Sequence, residues 1–245
     1  MTSIGILGGE GRMGRAIADA AGARSIGGAV NRGADEKALA ALAAASDVLV
    51  DFTAPDALQA HLEAAVEAGK PIVIGTTGLA PEHHRAIDEA ANRIAVLQTA
   101  NTSLGVNLLR ALVEQAARRL GPEWDIEIVE MHHRHKRDTP SGTALLLGAS
   151  ANIGRQTGST TANNRFDRMQ EGPHEREEGG IYYASLRGGS VAGDHLVIFA
   201  GEGERIELGH RAESRAIFAK GAVKAALWLA DKPAGRYAMA DVLGL

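Results

Sequence analysis

One short stretch, residues 130–144, holds the densest group of reactive side chains in the sequence. It contains Lys136, two arginines and three histidines: His132, His133 and His135. Histidine exchanges protons near neutral pH, and a lysine can donate a proton or stabilise a developing anion. Ser141-Gly142-Thr143 then opens an apolar helix that should run from Ala144 to about Gln156. Because a helix N-terminus with hydroxyl groups attracts carboxylates, the stretch predicts acid–base chemistry on an anionic ligand.

Two other interpretations of the histidines stay open. Metal ligation is one, but alternation along a strand would separate His132 from His133 and His135. The three cations beside them oppose a bound metal ion, and the chain has no cysteine to complete such a site. A solvated basic loop is the other interpretation. We predict no metal, with a histidine as the general acid and Lys136 as its partner.

A strand and a loop must present this stretch. Residues 125–130 alternate polar and apolar side chains, which predicts a strand ending at Glu130, with His135 as a supporting residue at the strand end. After a polar excursion over 155–178, three more strands are predicted: 180–187, 195–200 and 205–212. These four strands should form a second sheet with one open face. Since an apolar open face needs a cover, we predict an oligomer.

A glycine-rich turn near the N-terminus predicts a nucleotide site. The apolar run 3–7 leads into Gly8-Gly9-Glu10-Gly11-Arg12-Met13-Gly14, and a helical run follows. Glycines at these spacings allow a tight turn and close backbone approach to a pyrophosphate, which the helix N-terminus then faces. The strand before and the helix after make the pattern more specific than glycines alone. A plain strand-to-helix turn is the alternative.

The residues after the second strand, Ile26–Val30, bear on the choice of nucleotide. An NAD site places Asp or Glu there to bind the ribose hydroxyls, whereas this chain has Asn31-Arg32. A guanidinium without a neighbouring carboxylate suits a ribose 2′-phosphate, so NADPH is favoured over NADH. Alternatively, Arg32 is solvated and Asp35 or Glu36 binds the ribose.

The remainder of the first hundred residues continues the alternation of strands and helices. Strands are predicted at 48–52, 72–74 and 94–97, with helices at 34–45, 55–68 and 81–92. Loops of small hydroxyl and amide residues follow two of the strands: Gly75 to Gly78 and Ala100 to Asn107. Parallel strands present their carboxyl ends, where ligands bind, at one edge. Both loops are therefore expected to line one cleft, with ordinary turns as the alternative. Further helices are predicted at 106–120 and 217–230, and the tail 237–245 should pack on the first domain.

Composition narrows the class of protein. The 245 residues carry a net charge of -4, so an acidic ligand must be bound by a local basic cluster. Aromatic residues make up 4%, too few for single-strand nucleic-acid platforms. The absence of cysteine suits a reducing cytoplasm, and no apolar run has the length of a membrane span. The N-terminus enters a strand at once, which leaves no room for a signal peptide.

Taken together, these segments resemble the bacterial dihydrodipicolinate reductase family. The resemblance rests on Glu130 to Ala144 above all, a long motif specific to that family. Other matching segments span nearly the whole chain: Gly8–Arg15, Asp51-Phe52-Thr53, Val73–Gly78, Ala100-Asn101, Gly105-Val106-Asn107, Arg215 and Gly221–Trp228. Asn31 departs from the acidic residue that some members use for NADH, and Ala54 stands where some carry an arginine. The chain is also trimmed between residues 31 and 47.

The resemblance implies an α/β fold and a reaction. A Rossmann-like domain, 1–103 completed by 216–245, would be joined to a smaller α/β domain, 104–215, whose open mixed sheet is used for tetramerisation. NADPH or NADH would reduce 4-hydroxy-tetrahydrodipicolinate or dihydrodipicolinate, a cyclic dicarboxylate, to tetrahydrodipicolinate in diaminopimelate and lysine biosynthesis. A cytoplasmic homotetramer without nucleic-acid or membrane partners is expected.

The same resemblance implies roles for individual residues. His132 and Lys136 would be the catalytic proton donors. The substrate would be bound by His133, Ser141, Gly142, Thr143 and Arg215. The cofactor would be bound by Gly8, Gly9, Glu10, Gly11, Arg12, Met13, Arg32, Gly75, Thr76, Thr77, Thr99, Ala100, Asn101 and Thr102. The rival functions are a Rossmann oxidoreductase of another carbonyl or imine and a non-catalytic NADP-binding regulator. The first has no need of Ser-Gly-Thr on a helix N-terminus, and the second has no need of both His132 and Lys136.

Overall fold

A computed structural model describes residues 2–22, 25–166 and 175–245 of the chain. They form two compact units, Met1–Leu104 with Ala216–Leu245, and Gly105–Arg215. Each unit has its own sheet. Part of the predicted excursion over 155–178, residues 167–174, lies outside the described residues. Within the described ranges, no helix is long and apolar enough to cross a membrane.

The elements follow one another in an alternating order. The first unit contains β1 (Ile4–Leu7), α1 (Arg12–Ala21), β2 (Ile26–Val30), α2 (Glu36–Ala44), β3 (Val48–Asp51), α3 (Leu58–Glu67), β4 (Ile72–Ile74), α4 (Pro81–Ala91) and β5 (Ala95–Gln98). The second unit contains α5 (Leu104–Leu120), β6 (Asp125–His132), α6 (Gly142–Gly154), β7 (Asn164–Arg165), β8 (Ile181–Arg187), β9 (Gly193–Gly201) and β10 (Glu204–Ala212). The chain then returns to the first unit with α7 (Ala216–Leu229), β11 (Gly235–Tyr237) and α8 (Met239–Leu243).

The sheet of the first unit is parallel throughout and has the order β11-β5-β4-β3-β1-β2. Its inner strands β1, β3 and β4 are buried along their whole length because helices cover both faces, and they are apolar except for Asp51 at the end of β3. One cluster of core residues includes the alanines of α7, and a second includes the apolar side chains of α2, α3 and α4. The expected Rossmann-like architecture is confirmed.

Helix α7 packs closely because its inner face is made of small residues. A Cβ added to Gly221 would lie 1.8 Å from the carbonyl oxygen of Thr102, so only glycine fits against the loop after β5. Beyond α7, Met239 and Val242 join the same core cluster as the β1 side chains, which confirms that the tail packs on this unit. The sequence did not predict β11, a three-residue strand that adds to the edge of the sheet beside β5.

The second unit has a five-stranded mixed sheet in the order β10-β9-β6-β8-β7. Strand β6 runs parallel to β8 and antiparallel to β9, and β7 was not predicted. Helices α5 and α6 supply apolar side chains to one core that includes Ile126, Ile128 and Phe199. The opposite face carries half-buried or exposed apolar side chains: Val129, Met131, Ala184, Leu186, Leu196 and Ile198. A hollow of about 400 Å³ lies among several of them.

Several element boundaries differ from the sequence prediction. Strand β6 extends two residues past Glu130 and ends at His132, so His135 lies in a turn and its expected place at the strand end is wrong. The predicted helix from Pro55 begins with a separate 3-10 turn, Pro55–Ala57, before α3. Helix α6 begins at Gly142, two residues earlier than expected, because Ser141 caps it.

Candidate active site

The central side chain of the second unit is His132, the last residue of β6. Alternation along this strand places Ile126, Ile128, Glu130 and His132 on the covered face, and all four are buried. Nδ1 of His132 lies 2.6 Å from Oε2 of Glu130. An ionised carboxylate can only accept, so this contact keeps the proton on Nδ1 and leaves Nε2 as the nitrogen that exchanges protons.

Glu130 is held on both oxygens by Arg187, the last residue of β8. The Arg187 guanidinium donates from Nη1 to Oε2 and from Nη2 to Oε1, both at 2.8 Å. Burial raises the pKa of Glu130, but hydrogen bonds from Arg187 and neighbouring side chains outweigh burial and lower it. Glu130 is therefore a carboxylate at neutral pH, although it is only 1% exposed.

The second oxygen of Glu130 reaches the N-terminus of α6. The backbone N–H of Ser141 donates to Oε1 at 3.2 Å. Ser141 is the N-cap of α6, and its Oγ accepts from the N–H of Ala144 at 3.1 Å. The next residue, Gly142, is exposed, and a Cβ added to it would meet nothing within 4 Å. The helix terminus is thus open beside a fixed cap, as a bound carboxylate requires.

His195 on β9 completes this group from the other side. Its Nε2 lies 2.9 Å from Oγ of Ser141, and its ring meets the ring of His132 edge-on at 5.1 Å between centroids. Burial, followed by the nearby charge of His132, lowers the pKa of His195 to about 4. His195 is therefore neutral at physiological pH and acts as a hydrogen-bonding partner of the cap.

The loop after β6 carries the other predicted substrate groups. Nε2 of His133 lies 3.3 Å from Nη2 of Arg215. Partial burial and then the Arg215 cation lower the pKa of His133, so its imidazole is neutral. Lys136 lies in the same loop and pairs with Asp138, with Nζ 2.7 Å from Oδ2. Asp138 is 59% exposed, so this ion pair is open to exchange with a ligand anion.

The first unit holds a cleft of about 520 Å³ at the carboxyl ends of its strands. Its walls include the glycine turn, the residues after β2 and those after β3, with Gly8, Gly11, Asn31, Arg32 and Thr53 among them. Helix α1 begins at this turn. Its N-cap residue is Gly11, which has no side chain to cap the first N–H groups of the helix. A Cβ on Gly14 would lie 2.2 Å from the carbonyl oxygen of Gly8. The turn can approach a phosphate only because these positions are glycine, so the residues present fit a dinucleotide.

Hydrogen bonds order the predicted ribose end of this cleft. Oδ1 of Asn31 accepts from the N–H of Glu10 at 2.7 Å, which ties the end of β2 to the glycine turn. Asp35 caps α2 by accepting from the N–H of Ala38 at 2.8 Å. In the alternative in which Asp35 binds the ribose, the same carboxylate would also make this cap. Arg32 is exposed and lines the cleft.

The loop after β4 is tied to β3 by a buried carboxylate. Oδ1 of Asp51 accepts from the hydroxyls of Thr53 and Thr76, at 2.6 and 3.0 Å, and Oδ2 lies 2.8 Å from Nδ1 of His61. A Cβ on Gly75 would lie 2.3 Å from the Phe52 ring, so the loop needs glycine there. The predicted cofactor residue Thr76 therefore uses its hydroxyl internally, while Thr77 is exposed.

The loop after β5 is also held from within. The hydroxyl of Thr99 donates to the carbonyl of Asn101 at 2.8 Å, and that of Thr102 donates to the carbonyl of Phe218 at 2.7 Å. Oδ1 of Asn101 accepts from the N–H of Ser103 at 2.9 Å. Since β5 lies beside β4 in the parallel sheet, both loops follow carboxyl ends on one edge, as does the glycine turn after β1.

Glu130, Arg187 and His195 were not among the site residues predicted from the sequence. The sequence could have indicated Glu130, because alternation along the strand places it on the same face as Ile126 and Ile128, two residues before His132. It could not have indicated Arg187 and His195, because they come from strands 57 and 65 residues away from Glu130. Among the described residues, no group of three or more His, Cys, Asp or Glu side chains could hold a metal ion.

The chain matches two family models over nearly its whole length. Residues 2–102 match the dihydrodipicolinate reductase N-terminus, and residues 105–243 match the dihydrodipicolinate reductase C-terminus. A 4-hydroxy-tetrahydrodipicolinate reductase of Zymomonas mobilis is 58% identical, over 99% of this chain and 97% of its own. One from Halorhodospira halophila is 44% identical, over 99% and 98%.

Two solved structures share the fold. Dipicolinate-bound dihydrodipicolinate reductase from Paenisporosarcina sp. has a TM-score of 0.77 at 22% identity, covering 97% of both chains. DAP dehydrogenase of C. glutamicum in complex with DAP has a TM-score of 0.57 at 14% identity, covering 97% of this chain and 92% of its own. At these identities the likenesses concern the fold alone.

Proposed function

The chain belongs to the dihydrodipicolinate reductase family, and on that premise we propose how its residues divide the reaction. It is an NAD(P)H-dependent oxidoreductase that reduces 4-hydroxy-tetrahydrodipicolinate to tetrahydrodipicolinate in diaminopimelate and lysine biosynthesis. The hydroxylated substrate must first lose its hydroxyl group as water to give the conjugated imine, and reduction of that imine then adds one hydride and one proton. A bound nicotinamide would supply the hydride, so the protein's own groups are left to deliver the proton and hold two carboxylates.

His132 and Lys136 are the proposed proton donors. Nε2 of His132 is the exchanging nitrogen because Nδ1 is held by Glu130. Lys136 lies in the loop that follows and pairs with the exposed Asp138, a contact that a substrate anion can replace. The observation that carries the proposal is the shared partner of His132 and Ser141: Glu130 binds both, so the acid lies beside the open N-terminus of α6.

The substrate carboxylates are assigned to the N-terminus of α6 and to the cations near it. Ser141, Gly142 and Thr143 form the first turn of α6, where N–H groups and the helix dipole favour an anion. His133 and Arg215 lie 3.3 Å apart and supply a second polar group in the same unit. A neutral His133 can donate one hydrogen bond while the guanidinium of Arg215 carries the charge.

The cofactor is assigned to the cleft of the first unit, with NADPH favoured over NADH. Gly8 to Met13 would face the pyrophosphate, and the loops 75–77 and 99–102 follow strands at the same sheet edge. Arg32 lines the cleft with its charge exposed, while Asn31 is neutral and Asp35 caps a helix. The nearest polar groups thus suit a ribose 2′-phosphate.

We assign the second unit a homotetramer interface on its open sheet face. The face carries Val129, Met131, Leu186, Leu196 and Ile198, and a hollow of about 400 Å³ lies among the first four. Leu186, for example, is 51% exposed. An apolar sheet face of this kind is stable in water when another copy covers it.

The test is a coupled assay in which aspartate semialdehyde, pyruvate and the preceding synthase generate the substrate. Nucleotide oxidation is followed by absorbance, with NADPH and NADH in turn. His132→Gln should lower kcat by about 10²–10⁴-fold with little change in nucleotide affinity, as expected for a general acid. Pyridine-2,6-dicarboxylate, a planar mimic of the substrate, should inhibit. An enzyme that is indifferent to this dianion and unaffected by His132→Gln has another substrate.

A further inference from the structure

We propose that Glu130, held by Arg187, is a positioning residue with two effects. It fixes the tautomer of His132, and it fixes Ser141, the N-cap of α6, beside the proposed binding site for a substrate carboxylate. The proposal rests on the proposed role of His132 as proton donor and adds two residues to that site. The Glu130 side chain is fully buried. One of its oxygens contacts His132, and the other contacts the backbone N–H of Ser141.

Four hydrogen bonds to the Glu130 carboxylate show how its two oxygens divide these roles. Oε2 accepts from Nδ1 of His132 at 2.6 Å and from Nη1 of Arg187 at 2.8 Å. Oε1 accepts from the N–H of Ser141 at 3.2 Å and from Nη2 of Arg187 at 2.8 Å. Arg187 therefore fixes the plane of the carboxylate, and the carboxylate fixes the distance between the acid and the helix cap.

Arg187 is itself held by the backbone. Its Nη2 donates to the carbonyl of Asp138 and its Nη1 to the carbonyl of Leu186, both at 2.7 Å. The Asp138 contact joins the clamp to the loop that carries Lys136. Strand register explains the meeting, because Arg187 is the residue of β8 directly beside His132 of β6.

The neighbouring strand keeps the reactive nitrogen open. A Cβ added to Gly193, the first residue of β9, would lie 2.9 Å from Nε2 of His132 and 3.3 Å from its Cδ2. With Nδ1 fixed by Glu130 and the side next to Nε2 lined by a residue without a side chain, the ring presents a single nitrogen. A histidine held in this way takes up its working proton at Nε2 and donates it from there, because Nδ1 keeps its own proton for Glu130.

The change Glu130→Gln separates positioning from bulk. An amide has one accepting oxygen and one donating NH₂ group, so one side of the former carboxylate must now face a donor. If the NH₂ group faces His132, the ring must accept at Nδ1 and carry its proton on Nε2. We expect kcat to fall by about 10–100-fold, as when partners of an essential histidine are removed, with an unchanged KM for NADPH. If the oxygen faces His132 instead, the NH₂ group faces the N–H of Ser141, which loses its acceptor, and inhibition by pyridine-2,6-dicarboxylate should weaken.

Glu127→Gln is the matched control. Glu127 lies on the same strand three residues earlier, faces the opposite side and pairs with Arg176 at 2.7 Å. The chemical change is identical, and the reacting groups are untouched. This variant should keep the wild-type kcat and inhibition constant, and thermal unfolding of both variants reports any loss of folded protein.

The decisive readout is the ¹⁵N spectrum of the histidine rings in the full-length protein. The His132 signal is assigned by its loss in His132→Gln and recorded at alkaline pH. Wild-type protein should show a protonated Nδ1 and an unprotonated Nε2. Glu130→Gln should show either a protonated Nε2 or, with the tautomer kept, weakened inhibition by pyridine-2,6-dicarboxylate. The proposal is overturned if the wild type carries its proton on Nε2, a result that needs no variant to fold. It is equally overturned if Glu130→Gln loses activity with both the tautomer of His132 and the inhibition by pyridine-2,6-dicarboxylate unchanged.

These results are distinguishable from failure of the proposed function. If His132→Gln retained full activity, the assignment of the acid would fall while the tautomer could still be read in the wild type. If His132→Gln is inactive and Glu130→Gln retains the wild-type kcat, the acid stands and the positioning role falls.

Discussion

Adding one methyl group at Gly193 tests which nitrogen of His132 reacts. The new Cβ would lie 2.9 Å from Nε2, whereas carbon–nitrogen contacts are comfortable at about 3.5 Å. The ring or strand β9 must therefore move by roughly 0.5 Å. The ring cannot swing away freely because Nδ1 lies 2.6 Å from Glu130. Misplacement by about 1 Å can cost a catalytic group about 100-fold, so we expect Gly193→Ala to lower kcat by roughly 10–100-fold.

The backbone at this position adds a loss of stability that the control must match. Gly193 has φ of +154°, and a non-glycine residue in such a conformation costs about 1–3 kcal/mol. Gly203, in the turn between β9 and β10, has φ of +77°, and a Cβ there would meet nothing within 4 Å. Gly203→Ala should lower the unfolding temperature by a similar amount and keep kcat in the coupled assay. If Gly193→Ala also keeps the wild-type kcat, the assignment of Nε2 as the reacting atom is wrong.

Four further outcomes are expected. Lys136→Ala should lower kcat by about 10²–10⁴-fold with nucleotide binding little changed; a loss of NADPH affinity instead would misplace the residue. Asn31→Asp keeps the acceptor for the Glu10 N–H and adds a carboxylate beside the ribose, so the ratio of kcat/KM for NADPH over NADH should fall, and an unchanged ratio would contradict the assignment. Leu186→Glu should lower the oligomer mass in light scattering, whereas Leu227→Glu, 45% exposed in the first unit, should not. The pKa of His195 is lowered from 6.5 to about 4, because burial and the nearby His132 disfavour its charge, so folding favours the neutral ring and stability should fall by roughly 3 kcal/mol as the pH drops through that window. The slope should be shallower in His195→Asn.

Most of the fold of the first unit could be predicted from local sequence patterns. Apolar runs such as Ile72–Ile74 predict buried parallel strands, and the spacing of the glycines in 8–14 predicts the turn. The structure agrees, because it leaves little room for a Cβ at these glycines. Both signals lie within a few residues of the element they define. The three-residue strand β11 has neither signal: Gly235-Arg236-Tyr237 has no apolar run, and its pairing with β5 depends on α7 bringing the chain back to the sheet.

The chemistry of the second unit was predictable only in part. The histidines, Lys136 and Ser141 stand together in one motif, but their partners come from strand register. Pairing of β6 with β8 places Arg187 beside His132, and pairing with β9 places His195 beside Glu130. A shift of one residue in either pairing would turn the partner on that strand to the opposite face. Since register depends on the whole sheet, no inspection of residues 130–144 could assign these partners.

The buried ion pair of Glu130 and Arg187 is better explained by geometry than by stability. Removing two charges from water costs several kcal/mol per ion, and apolar replacements of buried pairs are often neutral or stabilising. A fold in need of stability alone has no use for a carboxylate in line with Ile126 and Ile128. What an apolar pair cannot supply is an acceptor on each side of one rigid group, one for Nδ1 of His132 and one for the N–H of Ser141. Replacing Glu130 and Arg187 together with leucine and methionine should therefore preserve or raise the unfolding temperature while abolishing the single tautomer of His132. A stable double variant with the wild-type tautomer and kcat would mean that the pair serves the fold and not the site.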